Sequence, residues 1–279
     1  MSTQAAVESE VARLIPNLGN IASQETNQAL VNIGGLIDGR IADLSVGKSF
    51  ANRTTQYASN GLNNLSGADQ SPLAGAWTRG GFQNSDQDNR AGDFGLNDGF
   101  DSNIYNIAIG YDVALGDDAL IGLSGGYVRL NTESDRESND VVEVDLLQIT
   151  GYAAKLIQGW EVSGQASYAF GEADTQRFAF ERITGNYDVD ALTFEGHVRK
   201  AFDFDGNNYA APYVGLRYSA VGTDAYTEDG GLDISIDDTD ENYLQGQAGL
   251  TVGHRIIKTD TAADIFLGCL LYTSPSPRD

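Results

Sequence analysis

Bulky apolar side chains alternate with small or polar side chains along much of the chain. The segment from Ile104 to Leu115 shows the pattern most clearly, because Asn106, Gly110 and Asp112 fall between its apolar residues. Those apolar residues are Tyr105, Ile107, Ile109, Tyr111, Val113 and Leu115. Successive side chains of a β-strand point to opposite faces, so the segment is predicted to be a strand with one wholly apolar face.

Seven other segments repeat this alternation, strictly or loosely, and TAADIFLG begins a further one. They are GAWTRGGF, LIGLSGGYVR, VDLLQITGYAAK, WEVSGQASYAF, ALTFEGHVRKAF, APYVGLRYSA and YLQGQAGLTVGHRI. The facing of GAWTRGGF is ambiguous. The apolar face is expected to include Val162, Tyr168, Phe194, Val214 and Leu216. The opposite face is expected to carry Asp112, Glu161, Gln165, Glu195, Arg199, Arg217 and Gln247.

Long and short connections alternate between these segments. The long, acidic ones centre on Asp98, Asp135, Glu181 and Asp238. The short ones lie at Asp117, Gln158 and Asn207. The connection around Glu181 is expected to run from Glu172 to Asp190. A meander whose long loops share one end gives this regularity, as in transmembrane barrels, whereas a Greek-key sandwich does not.

The predicted fold class is therefore all-β, an antiparallel up-and-down transmembrane β-barrel. Spanning strands must form a closed barrel, because every backbone polar group in hydrocarbon has to be paired. The apolar faces are then lipid-facing and the polar faces line a wet lumen. A charge at position 109 should impair assembly, and a change of charge at position 112 should be better tolerated.

The N-terminal part follows a different period. Residues 1–70 show no alternation, and QALVNIGGLIDGRIADL carries one apolar stripe at helical spacing. A helix from Gln28 to Ser45 would be about 27 Å long, close to the thickness of a bilayer's hydrocarbon core. We expect it in the lumen, with Leu30, Ile33, Ile37, Arg40, Ile41 and Leu44 as its site residues.

Details of this helix lead to three further expectations. Gly34, Gly35 and Gly39 should allow close approach to the lumen wall, and Arg40 should meet an acid such as Glu161 or Glu195. A shorter helix, AAVESEVARLI, is expected before Pro16. The alternative to a lumen helix is an ordinary amphipathic helix pair that packs elsewhere.

Charge and composition exclude several function classes. The net charge of −23, from 40 Asp and Glu against 17 Lys and Arg, argues against nucleic-acid binding. The two histidines lie on different strands without metal-ligand spacing, and the acidic loops lack the pattern of a calcium-binding EF-hand. We expect no enzymatic activity, no metal and no cofactor.

The last eleven residues, CLLYTSPSPRD, break abruptly from the preceding strand pattern. They match a translated adapter sequence from sequencing libraries, so residues 269–279 are expected to be a non-native tail. The predicted organisation is a helical linker over residues 1–70, a partial barrel over 71–268 and this tail.

The strand segments, in this order, resemble the β-domain of classical monomeric autotransporters, the translocator barrels of type V secretion. The resemblance rests on SPLAGAWTRG, IYNIAIGYDVALG, LIGLSGGYVRLNTE, VDLLQITGYAAKLIQGWEVSGQASYAFGEADTQR and YAAPYVGLRYSAVGTDAYTE, with PYVGLRYS before an acidic loop as the most telling piece. It implies a 12-stranded barrel with a helix through its lumen, in the outer membrane of a Gram-negative bacterium. That helix would join an upstream passenger to the first strand.

The resemblance also implies partners: outer-membrane lipid and lipopolysaccharide, the protein's own passenger domain, the barrel-assembly machinery and periplasmic chaperones. Only eight to nine of the family's 12 strands can be identified, so an open, C-terminally truncated barrel is expected. Two other functions remain open at this point. One is a stand-alone porin-like or adhesive outer-membrane barrel, and the other is a soluble secreted β-rich protein.

Overall fold

The computed structural model describes residues 18–45, 74–87, 90–92, 95–97, 99–134, 140–178, 181–204, 208–230, 234–258 and 261–273. In these ranges a helix, α1 (Leu18–Ser45), precedes fourteen strands. The strands are β1 (Ala74–Gln87), β2 (Arg90–Gly92), β3 (Gly95–Asn97), β4 (Phe100–Leu115), β5 (Ala119–Ser134), β6 (Val141–Ile157), β7 (Trp160–Phe178), β8 (Arg182–Lys200), β9 (Phe202–Asp203), β10 (Asn208–Thr223), β11 (Tyr226–Thr227), β12 (Ser235–Ile236), β13 (Thr239–Lys258) and β14 (Thr261–Thr273).

The long strands form one antiparallel meander, as the alternation predicts. Their order in the sheet is β1-β4-β5-β6-β7-β8-β10-β13-β14, so each long strand lies beside the next one in the chain. The short strands β2–β3 and β11–β12 form hairpins inside two of the connections, and β9 pairs with β10. Strands β1 and β14 end this path, and no pairing joins them within the described ranges. The wall is therefore open, as expected.

Tight turns lie at one end of the sheet. The turn between β6 and β7 consists of Gln158 and Gly159, which have φ angles of 53° and 80°. Gly116 opens the turn between β4 and β5 with φ of 75°. Positive φ at these positions is the conformation that two-residue hairpins and their relatives require. We call this end the short-turn end and the opposite end the long-loop end.

The prediction of a long loop between Glu172 and Asp190 is wrong. Strands β7 and β8 are 19 residues each, and their pairing continues to Phe178 opposite Arg182. Most outward side chains of β7 beyond Phe170 are polar, with Glu172 and Asp174 exposed, until Phe178 at its end. The apolar alternation therefore disappears there, although the backbone hydrogen bonds continue.

Helix α1 ends at Ser45, as predicted, but it begins ten residues earlier than predicted. Its first turns bury the polar residues Ser23, Glu25, Thr26 and Asn27. Because these residues are polar, they extend no apolar stripe, and the helix predicted from that stripe therefore begins later than the observed helix. Among the described residues, no helix is long and apolar enough to cross a membrane. The shorter helix predicted before Pro16 lies outside the described residues.

Strand β14 continues past Gly268 to Thr273 and pairs with β13, with Cys269 opposite Leu250. The first five residues of the predicted non-native tail therefore lie in a strand. The remaining tail residues lie outside the described ranges.

Candidate functional site

The outer face of the sheet carries the apolar residues of the alternation. Ile109 is 68% exposed and Val214 is 59% exposed, whereas Val113 is less exposed and counts as half-buried. The other residues expected on this face are also exposed, namely Tyr105, Ile107, Tyr111, Leu115, Val162, Tyr168, Phe194 and Leu216. The residues expected on the opposite face are all buried, namely Asp112, Glu161, Gln165, Glu195, Arg199, Arg217 and Gln247.

The apolar outer face forms a band of limited height. On β7 the band runs from Trp160 to Phe170. On β8 its last apolar residue towards the long-loop end is Leu192, and the next outward residue in that direction is Asp190. Ten residues of strand span about 33 Å along the strand. With the usual tilt of 35–45°, this corresponds to the apolar band of about 25 Å seen in transmembrane barrels.

Helix α1 lies against the inner face of the sheet and buries its apolar stripe. Leu30, Ile33, Ile37, Ile41 and Leu44 are each at most 2% exposed. They form one hydrophobic cluster with inner residues of β4, β5 and β6, namely Ile104, Ala108, Leu120, Val128, Leu130, Val142, Val144, Leu146 and Ala154. We call this inner surface the apolar wall.

Gly126 on β5 makes a recess in the apolar wall. A Cβ atom at this position would lie 2.2 Å from Cδ1 of Ile33, so a larger residue here would force the end of that side chain to move. The fit shows close packing between the helix and this part of the sheet.

A second inner surface, which we call the charged wall, consists of Glu161, Glu195, His197, Arg199 and Arg217 on β7, β8 and β10. All five side chains are buried. Arg199 donates a hydrogen bond of 2.6 Å to Asp38 of α1 and one of 2.9 Å to Glu161. His197 lies between two carboxylates, because its ring nitrogens are 3.1 Å from Asp38 and 3.1 Å from Glu195. Helix α1 therefore contributes one carboxylate to a buried charge network.

Glu195 is the centre of this network. Gln165 and Gln247 donate hydrogen bonds of 2.7 and 2.8 Å to its carboxylate, and Arg217 lies 3.6 Å away. The same Gln165 amide donates a hydrogen bond of 3.2 Å to the backbone carbonyl of Gly34. The helix thus approaches the charged wall closely enough for its backbone to bond to it.

The three helix glycines do not behave alike. A Cβ atom on Gly34 would lie 2.9 Å from Oε2 of Glu195, and one on Gly39 would lie 3.1 Å from Nη1 of Arg79. Gly35 has nothing within 4 Å of that position. The expectation of close approach is therefore wrong for Gly35, because this residue points away from both walls.

Arg40 has a different partner from the one expected. Its guanidinium donates two hydrogen bonds, of 2.9 and 3.1 Å, to the Asp112 carboxylate, not to Glu161 or Glu195. Tyr152 donates a third hydrogen bond to Asp112 at 3.2 Å and accepts one of 2.7 Å from Trp77. The partner follows from the rotation of the helix, which places Arg40 opposite β4.

The burial of Asp112 also changes the expectation for its substitution. Asp112 is 0% exposed, and both of its oxygens bond to Arg40. An arginine at position 112 would face Arg40 inside the protein, so it would not be the tolerated lumen change expected from the sequence.

The direction of α1 relative to the sheet follows from two contacts. Glu25, near the beginning of the helix, lies beside Ser102, close to the long-loop end of β4. Arg40, near the end of the helix, bonds to Asp112, close to the short-turn end of the same strand. The chain therefore runs through the interior from the long-loop end to the short-turn end, where β1 begins.

A polar cluster that the sequence did not predict lies inside the long-loop end. Arg177 donates two hydrogen bonds, of 2.8 and 2.5 Å, to the buried carboxylate of Glu228. Tyr187 stacks on Tyr226 with ring centroids 4.5 Å apart. Backbone hydrogen bonds between Thr184 and Asp229 hold the β11–β12 hairpin against β8. The contact joins β7 and β8 to the connection that follows β10, and it has no periodic signal.

Potential metal ligands are scattered over the described part of the chain. No group of three or more His, Cys, Asp or Glu side chains there gathers as metal ligands do. The acidic loop residues Asp237, Asp238 and Asp240 belong to this described part. The side chain of His254 is outside the described set.

Comparisons with known proteins agree with this geometry. A family model described as the autotransporter beta-domain matches residues 76–268. The structure is similar to the translocator domain of the autotransporter NalP from Neisseria meningitidis, with a TM-score of 0.64 and 16% sequence identity, covering 91% of this chain and 80% of that one. It is also similar to the beta domain of the Bordetella autotransporter BrkA, with a TM-score of 0.54, 18% identity and coverage of 72% and 80%. No curated protein sequence matches the chain.

Proposed function

The chain belongs to the autotransporter β-domain family, and from this membership we propose that α1 is the pore segment that connects its passenger to the barrel. The protein is an outer-membrane translocator barrel of a Gram-negative bacterium and exports a linked passenger. Barrels of this family are generally non-enzymatic. Residues of the two inner walls hold this segment, and the apolar outer face of the sheet contacts lipid.

One observation carries the proposal: α1 is bonded to both inner walls while it runs from the long-loop end to the short-turn end. Its apolar stripe packs on the apolar wall, Asp38 pairs with Arg199 of the charged wall, and Arg40 pairs with Asp112 on β4. If the long loops lie outside the cell, the beginning of the helix lies at the cell surface. A passenger that precedes the helix would then be anchored outside by a segment that fills the pore.

The channel itself provides the first test. Deleting residues 1–60 from the full-length protein should raise single-channel conductance in planar bilayers, because the helix would no longer occupy the lumen. The matched variant Ile109→Ala, on the outer face, should leave conductance unchanged. Unchanged conductance after the deletion would mean that the helix lies outside the pore.

The orientation is tested separately. Single cysteines at Asp238 and Asp117 lie at the long-loop end and the short-turn end, respectively. A membrane-impermeant thiol reagent added to intact cells should label the cysteine at 238 and spare the one at 117. Labelling of both, or of 117 alone, would contradict the proposed topology.

The outer band is proposed to contact lipid directly. Ile109 is close to the middle of the band on β4 and is exposed. An arginine there should cost about 2–4 kcal/mol near the bilayer midplane. We expect Ile109→Arg to reduce the fraction of folded, heat-modifiable barrel, whereas Ile109→Leu should not.

The proposed partners follow from this setting. They are the lipid and lipopolysaccharide around the outer band, the linked passenger, and the barrel-assembly machinery with periplasmic chaperones during insertion. No nucleic-acid partner is proposed for a chain of net charge −23.

A further inference from the structure

Two lysines at the short-turn end lack a carboxylate partner among the described residues. The cations that hold α1 or the loops are paired, since Arg40, Arg177 and Arg199 each contact a carboxylate. Lys155 and Lys200 form no such ion pair within the described part of the chain. In a protein of net charge −23, two unneutralised cations on one surface need an explanation.

Both lysines belong to the outer face, at the edge of the apolar band. Lys155 is exposed and lies opposite Val162, and Lys200 lies opposite Trp160. The lysines are therefore on the two strands that flank β7, with Trp160 between them. Strand spacing and residue rise place their Cα atoms about 12 Å apart, which two flexible lysine side chains can close.

Aromatic rings fix the position of one ammonium group. The Nζ atom of Lys200 is 4.8 Å from the ring centre of Trp160 and 5.4 Å from that of Phe202. Both rings remain nearly half exposed on the outer face, at 46% and 45%. Cation–π contacts of this kind hold the ammonium at the surface of the band and leave its hydrogen-bond donors available.

We propose that the edge of the apolar band at the short-turn end, which we call the rim, binds the phosphate of an anionic phospholipid. Lys155 and Lys200 contact the phosphate, and Trp160 and Phe202 lie beside the part of the acyl chain nearest the headgroup. The short-turn end also exposes Asp117, Asp118 and Asp203, in or beside its turns, so it is the two lysines with their aromatic neighbours, and not the net charge of that end, that favour an anionic headgroup. Beyond the opposite edge of the band, Glu172, Asp174 and Asp188 are exposed and would repel a phosphate. The short-turn end is the periplasmic end in the proposed topology, so the lipid would come from the inner leaflet.

The experiment measures which lipid lies next to Trp160. The full-length protein is reconstituted in phosphatidylcholine vesicles with equal mole fractions of dibrominated phosphatidylglycerol or dibrominated phosphatidylcholine. Bromine quenches only nearby tryptophan, and the signal of Trp160 is the difference from the Trp160→Phe variant. We expect more quenching by the brominated phosphatidylglycerol than by the brominated phosphatidylcholine. The excess should correspond to an enrichment of the anionic lipid beside Trp160 of about fivefold for each lysine.

The variants separate a specific site from general attraction. The double variant Lys155→Gln/Lys200→Gln should quench equally with both lipids, whereas Lys155→Arg/Lys200→Arg should keep the excess. Arg129→Gln removes a cation from the same face at the opposite rim and should also keep it. Equal quenching in the unaltered protein, or equal loss in Arg129→Gln, would overturn the proposal. Persistence of the excess in the double glutamine variant would overturn it as well.

Discussion

The two sides of α1 meet very different surfaces. On one side, aliphatic side chains pack on the apolar wall of β4–β6. On the other side, Asp38 bonds to Arg199 of the charged wall, and the backbone of Gly34 bonds to Gln165 beside that wall. Apolar burial is strong but non-directional, because it depends on area and not on angle. Hydrogen bonds and ion pairs require one geometry, so the charged contacts fix the rotation and height of the helix.

This difference assigns different physical roles to the two walls. Buried ion pairs add little net stability, because desolvation of both charges offsets their attraction. Removing one partner is nevertheless costly, since the other charge stays buried. The apolar wall is thus expected to hold the helix in the barrel, and the charged residues to select one position for it.

The largest expected effect comes from leaving one buried charge unpaired. Arg40→Ala would leave Asp112 without its two strongest hydrogen bonds, at a cost of about 3–5 kcal/mol. Urea unfolding in vesicles would measure the loss of stability. The double variant Arg40→Ala/Asp112→Ala should recover part of it, because no isolated charge remains. A double variant less stable than Arg40→Ala would contradict the assigned role.

An exposed ion pair provides the matched control for Arg40→Ala. Arg129 lies 3.3 Å from Glu143, and both side chains are nearly half exposed. Water screens such a pair, so Arg129→Ala should not change the unfolding midpoint measurably.

The apolar wall is tested by Ile33, the residue that fills the recess at Gly126. Ile33→Ala removes buried methyl groups and leaves a cavity, so we expect a loss of about 2–4 kcal/mol in the same unfolding assay. Ile109→Ala, the same substitution on the outer face, leaves no cavity because acyl chains fill the space, so it should cost clearly less than Ile33→Ala. If Ile33→Ala were as mild as Ile109→Ala, the apolar wall would not hold the helix.

Apolar contacts and charge pairs also differ in how far sequence alone predicts them. Alternation of period two predicted the strands and their order in the meander, and a stripe at helical spacing predicted the end of α1. Both signals arise because burial repeats with the geometry of the backbone. The partner of Arg40 has no such signal, since it depends on the rotation of the helix against strands far away in the chain.

The same limit explains the other differences. The hairpin beyond Phe170 lies outside the apolar band, so its strands continue without alternating hydrophobicity. Trp77 and Tyr152 are aromatic residues that point inward, and they bond to each other beside Asp112. A pattern that sorts residues only by hydrophobicity places such side chains on the wrong face. Alternation along a strand therefore predicts which polar residues face the interior. The hydrogen-bond partners of those residues can be identified only from the structure.

The smallest expected effect contrasts two adjacent glycines of α1. Gly35→Ala adds a methyl group in open space, and alanine is the better helix former by about 0.5–1 kcal/mol, so this variant should be more stable. Gly34→Ala gains the same propensity but pushes its Cβ against Oε2 of Glu195, 2.9 Å away. That carboxylate is held by Gln165 and Gln247 and cannot move without breaking their hydrogen bonds. We therefore expect a net loss of about 1 kcal/mol for Gly34→Ala, in the range of mild overpacking. Because the two substitutions are chemically identical and one residue apart, unfolding midpoints that shift in opposite directions would locate the charged wall on the Gly34 side of the helix. Equal shifts would show that the helix does not approach Glu195 as closely as the structure has it.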